Sequence, residues 1–334
     1  MSDVALYGTF AAIVTVLLCV DLFVVQRNTH EVSIKEAGIW SAIWIGVSIL
    51  FGVFIAGLHE SGGEGVTVAY FTGYVIEKSL SVDNVFLFVL IFGALSVPPE
   101  VQHRVLYYGV LGAIVMRTLL IVAGAELTQR FEWLLILFGL FLLFTAYKTW
   151  TQRDVHPDVE DSKILARVRR ILPTTEDYRG KKFFVRENGR LLATPLFVVL
   201  ILVEFTDLIF AFDSIPAIFG VTTDPFIVLT SNIFAILGLR SLYFLLAGVA
   251  DRLRYLKAGL ALILGFVGVK LLVERVEFLP HPSPLASLGI VMGILAVTVV
   301  LSLRAGPPTS ADDVPSGVGN MFAKDKDKSR QPGS

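Results

Sequence analysis

Two stretches of this chain put acidic side chains where a strongly apolar sequence ought to exclude them. The first reads Glu77-Lys78-Ser79-Leu80-Ser81-Val82-Asp83-Asn84 and the second Asp207-Leu208-Ile209-Phe210-Ala211-Phe212-Asp213-Ser214. In each, an acid is followed six residues later by an aspartate and then by a small polar residue. Carboxylates beside an amide or a hydroxyl are hard oxygen ligands, suited to manganese, magnesium or calcium, whereas zinc, copper and nickel favour imidazole or thiolate. The five histidines, His30, His59, His103, His156 and His281, fall in expected loops or at helix ends, and Cys19 is the single cysteine. Carboxylates in lipid also carry protons, so these residues leave metal and proton both open.

The spacing limits how the acids can meet. On an ideal helix, six residues turn the chain through about 600°, leaving Glu77 and Asp83 roughly 120° apart in azimuth and about 9 Å apart along the axis. One straight helix cannot aim both at one ion. Two antiparallel helices can, each giving its second aspartate to a shared site, and Pro216 lacks the N–H that would bind the Phe212 carbonyl, freeing an oxygen beside Asp213.

The elements that carry these residues must lie in lipid. The chain has 334 residues, 54% hydrophobic and 17% charged, with mean hydropathy +0.72; soluble proteins carry about 25% charged residues. The apolar residues fall in runs long enough to cross roughly 30 Å of hydrocarbon. Nine transmembrane helices are expected, at Leu6–Val25, Ala37–Leu58, Val66–Phe92, Val105–Gly124, Trp133–Trp150, Thr194–Phe219, Phe226–Val249, Leu256–Val273 and Pro284–Leu303. The first reads as a retained helix and not a signal peptide, because no basic region precedes it. A net charge of −1 gives no basic field for nucleic acid. No His-Glu-x-x-His, Gly-x-Ser-x-Gly or phosphate-cradling loop occurs, so an enzyme is not expected and no permanently bound cofactor is implied.

Basic residues set the orientation. With the N-terminus outside, the inside segments hold Arg27, Lys35, Arg104, the Arg153–Arg190 stretch, Arg252, Arg254, Lys257 and the tail, while the outside segments hold Arg130 and Arg275. The domain organisation follows: two N-terminal helices (1–65), three helices (66–150), a cytoplasmic loop (151–192), three more helices (193–273), a ninth helix (274–304) and a disordered cytoplasmic tail (305–334). Within the loop, Ile164, Leu165, Val168, Ile171 and Leu172 share one helical stripe opposite Lys163, Arg167, Arg169 and Arg170, which predicts an interfacial amphipathic helix. Asn188-Gly189 between apolar runs predicts a hairpin.

The two three-helix groups resemble each other beyond their acids. Arg117-Thr118-Leu119 corresponds to Arg240-Ser241-Leu242, and Ala146-Tyr147-Lys148 to Gly268-Val269-Lys270. An offset of three spans makes this an inverted repeat, the plan of many secondary transporters, with the ligand site near the midplane where the halves meet. The expected spans hold six acids (Asp21, Glu77, Asp83, Glu204, Asp207, Asp213) and five bases (Lys78, Arg117, Lys148, Arg240, Lys270). At about 3 kcal/mol each, unpaired they would cost roughly 30 kcal/mol, more than the ~5–15 kcal/mol that stabilises a domain. They must be paired, protonated, hydrated or bound to a cation. Simple helix-joining ion pairs satisfy that demand too, but pairing does not require the same acid spacing twice. Lys148 and Lys270 lie near helix ends, where a long side chain reaches water.

The stretches Val203-Glu204-Phe205-Thr206-Asp207, Asp213-Ser214-Ile215-Pro216-Ala217-Ile218 and Thr230-Ser231-Asn232 through Arg240-Ser241-Leu242-Tyr243, with Glu77 to Asn84, resemble the TerC family of membrane proteins, especially its Alx-like branch. The resemblance runs from the first helix to the ninth. It implies a bacterial inner-membrane protein of a family named for tellurium resistance and associated with manganese efflux. Carried onto this chain it implies ion binding by Glu77, Asp83, Asp207 and Asp213, with Asn84 and Ser214 beside them. Asp21, Glu204, Arg117, Arg240 and Asn232 are expected as accessory or proton-coupling residues. The expectation is an all-α polytopic exporter of divalent cation, with Mn2+ as cargo, lipid as its other partner and proton antiport as its coupling. An exporter of a small organic solute, or a scaffold that aids metallation or stress protection of exported proteins, are the rivals.

Overall fold

The computed structural model describes residues 3–21, 34–58, 64–152, 165, 167–168, 172–187, 189–247, 255–273 and 282–305. Ten helices occupy most of this: α1 (Asp3–Val20), α2 (Ile34–Leu58), α3 (Glu64–Ala94), α4 (Pro99–Arg130), α5 (Leu134–Thr151), α6 (Pro195–Phe219), α7 (Pro225–Leu237), α8 (Leu239–Ala247), α9 (Leu256–Val273) and α10 (Pro284–Ala305). A hairpin of β1 (Phe184–Glu187) and β2 (Arg190–Ala193) precedes α6.

Local chemistry sets the helix starts. Prolines stand in the first turn of α4, α6 and α7, where the missing N–H has no helical partner to lose. Asp224 caps α7, its Oδ1 accepting from the N–H groups of Phe226 and Ile227 at 2.9 and 3.3 Å, which satisfies donors the helix leaves free. In the hairpin, Gly189 takes φ +75°, the conformation a two-residue turn demands.

Burial along α4 tells which solvent the helices face. Ala113, Arg117, Ile121 and Ala125 are buried, whereas Val115, Leu119 and Val122 are more than half exposed. An arginine inside with valine and leucine outside is the reverse of a soluble helix, and lipid is the environment in which it is stable. Six of the described helices are long and apolar enough to cross a bilayer, seven if α7 and α8 count together as one span. Among the described residues, length and composition alone thus support six or seven crossings, fewer than the nine expected. The apolar part of α1 is short, and α3 carries Glu77, Lys78 and Asp83 through its middle.

The predicted seventh helix is two elements. It breaks at Gly238, where α7 and α8 meet at 43°. Lys78 fills the break, its Nζ donating to the Ala235 carbonyl at 3.1 Å. By contrast α6 continues as one helix through Pro216.

Packing brings the two repeated groups together. α3 lies against α6 and α7, α4 against α6, and α5 against α9, the broadest helix pairing among the described residues. A Cβ on Gly268 would stand 3.0 Å from the Gly139 carbonyl oxygen. Small residues let those two backbones approach, which is how helices gain contact in lipid. Of the predicted amphipathic helix, Leu165, Arg167 and Val168 are described and helical, with Leu165 buried; the rest, the predicted disordered tail, and Arg27, Arg252, Arg254 and Arg275 lie outside the described residues.

Candidate functional site

At the contact of α3, α4, α6 and α7, six polar side chains are buried together: Glu77 and Asn84, Arg117, Asp207 and Ser214, and Asn232. Arg117 stands in the middle. Its Nε and Nη2 donate to the two oxygens of Asp207 at 3.1 and 2.9 Å, a fork on a carboxylate. Its Nη1 donates to Glu77 Oε1, to Ser214 Oγ at 3.2 Å and to Asn232 Oδ1 at 3.1 Å. Asn232 Nδ2 donates to Glu77 Oε2 at 3.2 Å, and Asn84 Nδ2 approaches Asp207 Oδ1 at 3.4 Å. Arg is suited to this place, because its rigid planar fork satisfies two carboxylates at once.

The pairing has a direction. Glu77 and Ser214 accept from the same Arg117 Nη1 and Asn84 meets Asp207, so a step of seven residues up α3 matches a step of seven down α6. The helices cross antiparallel. Seven residues return an α-helix to within about 20° of the same face, so Glu77 and Asn84 share one face of α3 and Asp207 and Ser214 one face of α6.

Asp83 and Asp213 point elsewhere. Asp213 accepts a hydrogen bond from Thr145 Oγ1 of α5 at 3.0 Å and lies within electrostatic range of Lys148 and of Asp83. Asp83 in turn lies within range of Lys257. Neither of the two second aspartates takes part in the hydrogen bonds around Arg117. Asp21 and Arg240 make a third group, an ion pair of 2.7 Å. Glu204 packs beside the first cluster: one turn before Asp207, its carboxylate fills the space where a side chain on Gly112 would stand.

Of the expected site residues, then, Glu77, Asn84, Asp207, Ser214, Arg117 and Asn232 are assembled, Glu204 adjoins them, and Asp83, Asp213, Asp21 and Arg240 lie outside. Thr145 is not singled out by sequence, and Lys257 only as a basic residue of the inside segments. Thr145 carried one faint signal, a hydroxyl one turn before Lys148, but its partner is fixed by where α5 crosses α6.

Among the described residues, three buried atoms in or near this region find no hydrogen-bond partner: Asn84 Oδ1, Ser81 Oγ and Arg240 Nη1. A small cavity of about 10 Å³, lined in part by Gly109, Val203, Asp207 and Arg240, separates the first and third groups. That is room for about one water. Among the described residues, no three of His, Cys, Asp and Glu come together as metal ligands. The first cluster instead offers two carboxylates with two amide oxygens and a hydroxyl, all hard donors, around a guanidinium that is itself their cation.

Residues 63–308 match the family described as "Integral membrane protein TerC family". The chain belongs to the TerC family. It is 51% identical over 303 residues to the Alx protein of Salmonella typhi, whose name proposes a membrane-bound redox modulator, covering 89% of this chain and 93% of that one. It is 47% identical over 310 residues to an uncharacterised membrane protein of Myxococcus xanthus, covering 92% and 95%. The chloroplastic thylakoid membrane protein TERC of Arabidopsis thaliana is 45% identical over 278 residues, covering 83% of this chain and 70% of its own. No solved structure matches. Membership makes this TerC chain a multi-pass integral membrane protein, as its lipid-facing helices require. The matched region spans all the acids of the two repeated stretches.

Proposed function

We propose that this TerC-family protein exports a divalent cation, manganese, across the bacterial inner membrane, with its N-terminus outside and protons moving the other way. Two groups of three spans related as an inverted repeat would alternate access to a site between α3 and α6. One observation carries the reading: two buried carboxylates, Glu77 and Asp207, share a single guanidinium, while the adjacent Asn84 Oδ1, 1% exposed as a residue, has no donor. An acceptor without a donor beside carboxylates is a place for a cation.

Arg117 then acts as the resident counter-charge. A dication entering the cluster competes with the guanidinium for the same oxygens, and whichever leaves must take up another position. Returning without the ion, the acids are neutralised by Arg117 or by a proton, so that no bare pair of charges crosses the lipid midplane. Asp83 and Asp213 supply a second carboxylate station, reached before or after the first. The antiparallel crossing of α3 and α6 and the close α5–α9 seam favour this two-fold arrangement. The relatives' redox name finds little footing in thiol chemistry, since a single cysteine cannot form a disulfide within one chain.

Purified protein in liposomes tests the reading directly. Chain-dependent Mn2+ movement, driven by a pH difference and lost in both Glu77→Gln and Asp207→Asn, is the expected result. Flux that persists in both variants overturns the site. A wild-type chain that inserts but moves no divalent ion overturns the cargo and favours an organic solute or a scaffold role.

A further inference from the structure

The hairpin before α6 uses none of the chemistry above, yet it is fixed firmly. The Thr194 N–H donates to the Phe183 carbonyl at 2.9 Å and its Oγ1 to the Lys182 carbonyl at 2.7 Å. Thr194 is also the N-cap of α6, so the hairpin's base is joined to the first turn of a membrane-crossing helix. Phe184 packs on Phe197 of that turn, ring centroids 4.4 Å apart. Tyr178 donates to the Leu95 carbonyl at the end of α3 at 2.7 Å. Arg104, near the start of α4, stacks over Phe183 and Tyr108 at 5.1 and 5.7 Å. Three long helices thus end or begin around the hairpin, which places it at the boundary of hydrocarbon and water.

Its surface matches that boundary. Cross-strand partners share a face, and Arg186 pairs with Leu191 and Phe184 with Ala193. The outer face therefore mixes Phe184 and Leu191, 45% and 65% exposed, with exposed Arg186. Glu187 is the one acid between Arg179 and Arg190, and Arg179 binds it at 3.0 Å. Lys181, Lys182, Arg186 and Arg190 are all exposed and have no anionic partner among the described residues. Nearby, Arg104 Nε is buried with no acceptor among the described residues. Apolar side chains to enter the acyl region and unmatched cations to meet phosphate are together the signature of an interfacial anchor for anionic lipid.

We infer that the β1–β2 hairpin is a docking surface for anionic phospholipid headgroups, held at the level of the helix ends by Thr194, Phe184 and Tyr178. The inference stands on the hairpin and the membrane crossing alone, and is independent of which solute the protein carries.

The experiment is lipid titration of the purified full chain in detergent, read by native mass spectrometry, with phosphatidylglycerol and phosphatidylcholine of identical acyl chains. Two basic side chains on one headgroup predict a preference for phosphatidylglycerol of roughly thirty-fold. The variant K181Q/K182Q/R186Q/R190Q should bring the two lipids close to parity, and R186K/R190K should keep most of the preference. If the fourfold variant does not insert, R186Q/R190Q, confined to exposed hairpin positions, is read in the same way. Equal affinities in the wild-type chain overturn the inference, as they would if this face bound a soluble partner instead. So does a preference that the glutamine substitutions leave unchanged.

Discussion

Replacing Arg117 by methionine removes the hub of the buried cluster while roughly keeping its volume. The substitution deletes two hydrogen bonds to Asp207, one each to Ser214 and Asn232, and the ion pair with Glu77. Glu77 and Asp207 then remain buried without a counter-charge. Breaking a buried ion pair by removing one partner destabilises by about 3–5 kcal/mol, which at a few degrees per kcal/mol lowers the unfolding temperature by roughly 10 °C. A cation that binds the same oxygens should reverse much of this. Mn2+ at a hundred times its dissociation constant adds about 2.7 kcal/mol to the state that binds it. In the wild-type chain the guanidinium competes, so the gain there must be smaller. The assay is thermal unfolding of Arg117→Met and wild type in detergent across a Mn2+ series, with Glu77→Gln in the Arg117→Met background as control. The control should recover part of the lost stability without metal and respond less to it. Equal Mn2+ stabilisation of wild type and Arg117→Met would refute the idea that guanidinium and ion contend for one set of acids.

Asn84→Leu removes an amide with one weak bond and one unpartnered oxygen; fold stability should change by no more than about 1 kcal/mol, while Mn2+ affinity in a binding titration falls at least tenfold. A loss of stability with unchanged affinity would assign Asn84 to the scaffold. Gly268→Val forces a side chain into a position 3.0 Å from the Gly139 carbonyl, so α5 and α9 must separate at a cost of about 1–3 kcal/mol; unaltered thermal stability would show that the seam opens freely.

The lipid-crossing character, the helix positions and the turn chemistry could be read from the sequence because each is local. Runs of apolar residues between Pro and Gly signals set α2, α5, α6, α9 and α10 to within a few residues. The break at Gly238 was harder to see: glycine inside an apolar run is often tolerated, and only Lys78 arriving from α3 distinguishes this one. The acids were evident by type, but the matching partner of Glu77 on its own helix face is Asn84, seven residues on, not Asp83. The 120° azimuth between Glu77 and Asp83 already kept those two apart. What sequence could not supply was the crossing point of α3 and α6, which decides that Glu77 meets Ser214 and that Asp213 is left for Thr145. Such choices depend on contacts between residues far apart in the chain, 155 positions for Asn232 and Glu77.

The two corresponding arginines show how equal sequence signals come to unequal roles. Arg117 sits within a continuous α4, one helix face carrying Ala113, Arg117 and Ile121 inward, so its guanidinium reaches the centre. Arg240 follows the Gly238 bend by two residues, at the start of a new axis turned by 43°, and its side chain goes to Asp21 at the end of α1 instead. Both arginines nonetheless border Asp207, Arg117 by direct bonds and Arg240 across the small cavity in which Asp207 also takes part. One Arg240 nitrogen lacks an acceptor among the described residues, so Asp207 has a cation committed to it on one side and, on the other, a small cavity that Arg240 also lines. An exchanger needs its central acid to be neutralised in more than one arrangement of the surrounding helices. Under the proposed exchange, a broken helix that sets one of two equivalent arginines aside would provide that without requiring any charge to stand alone in the membrane.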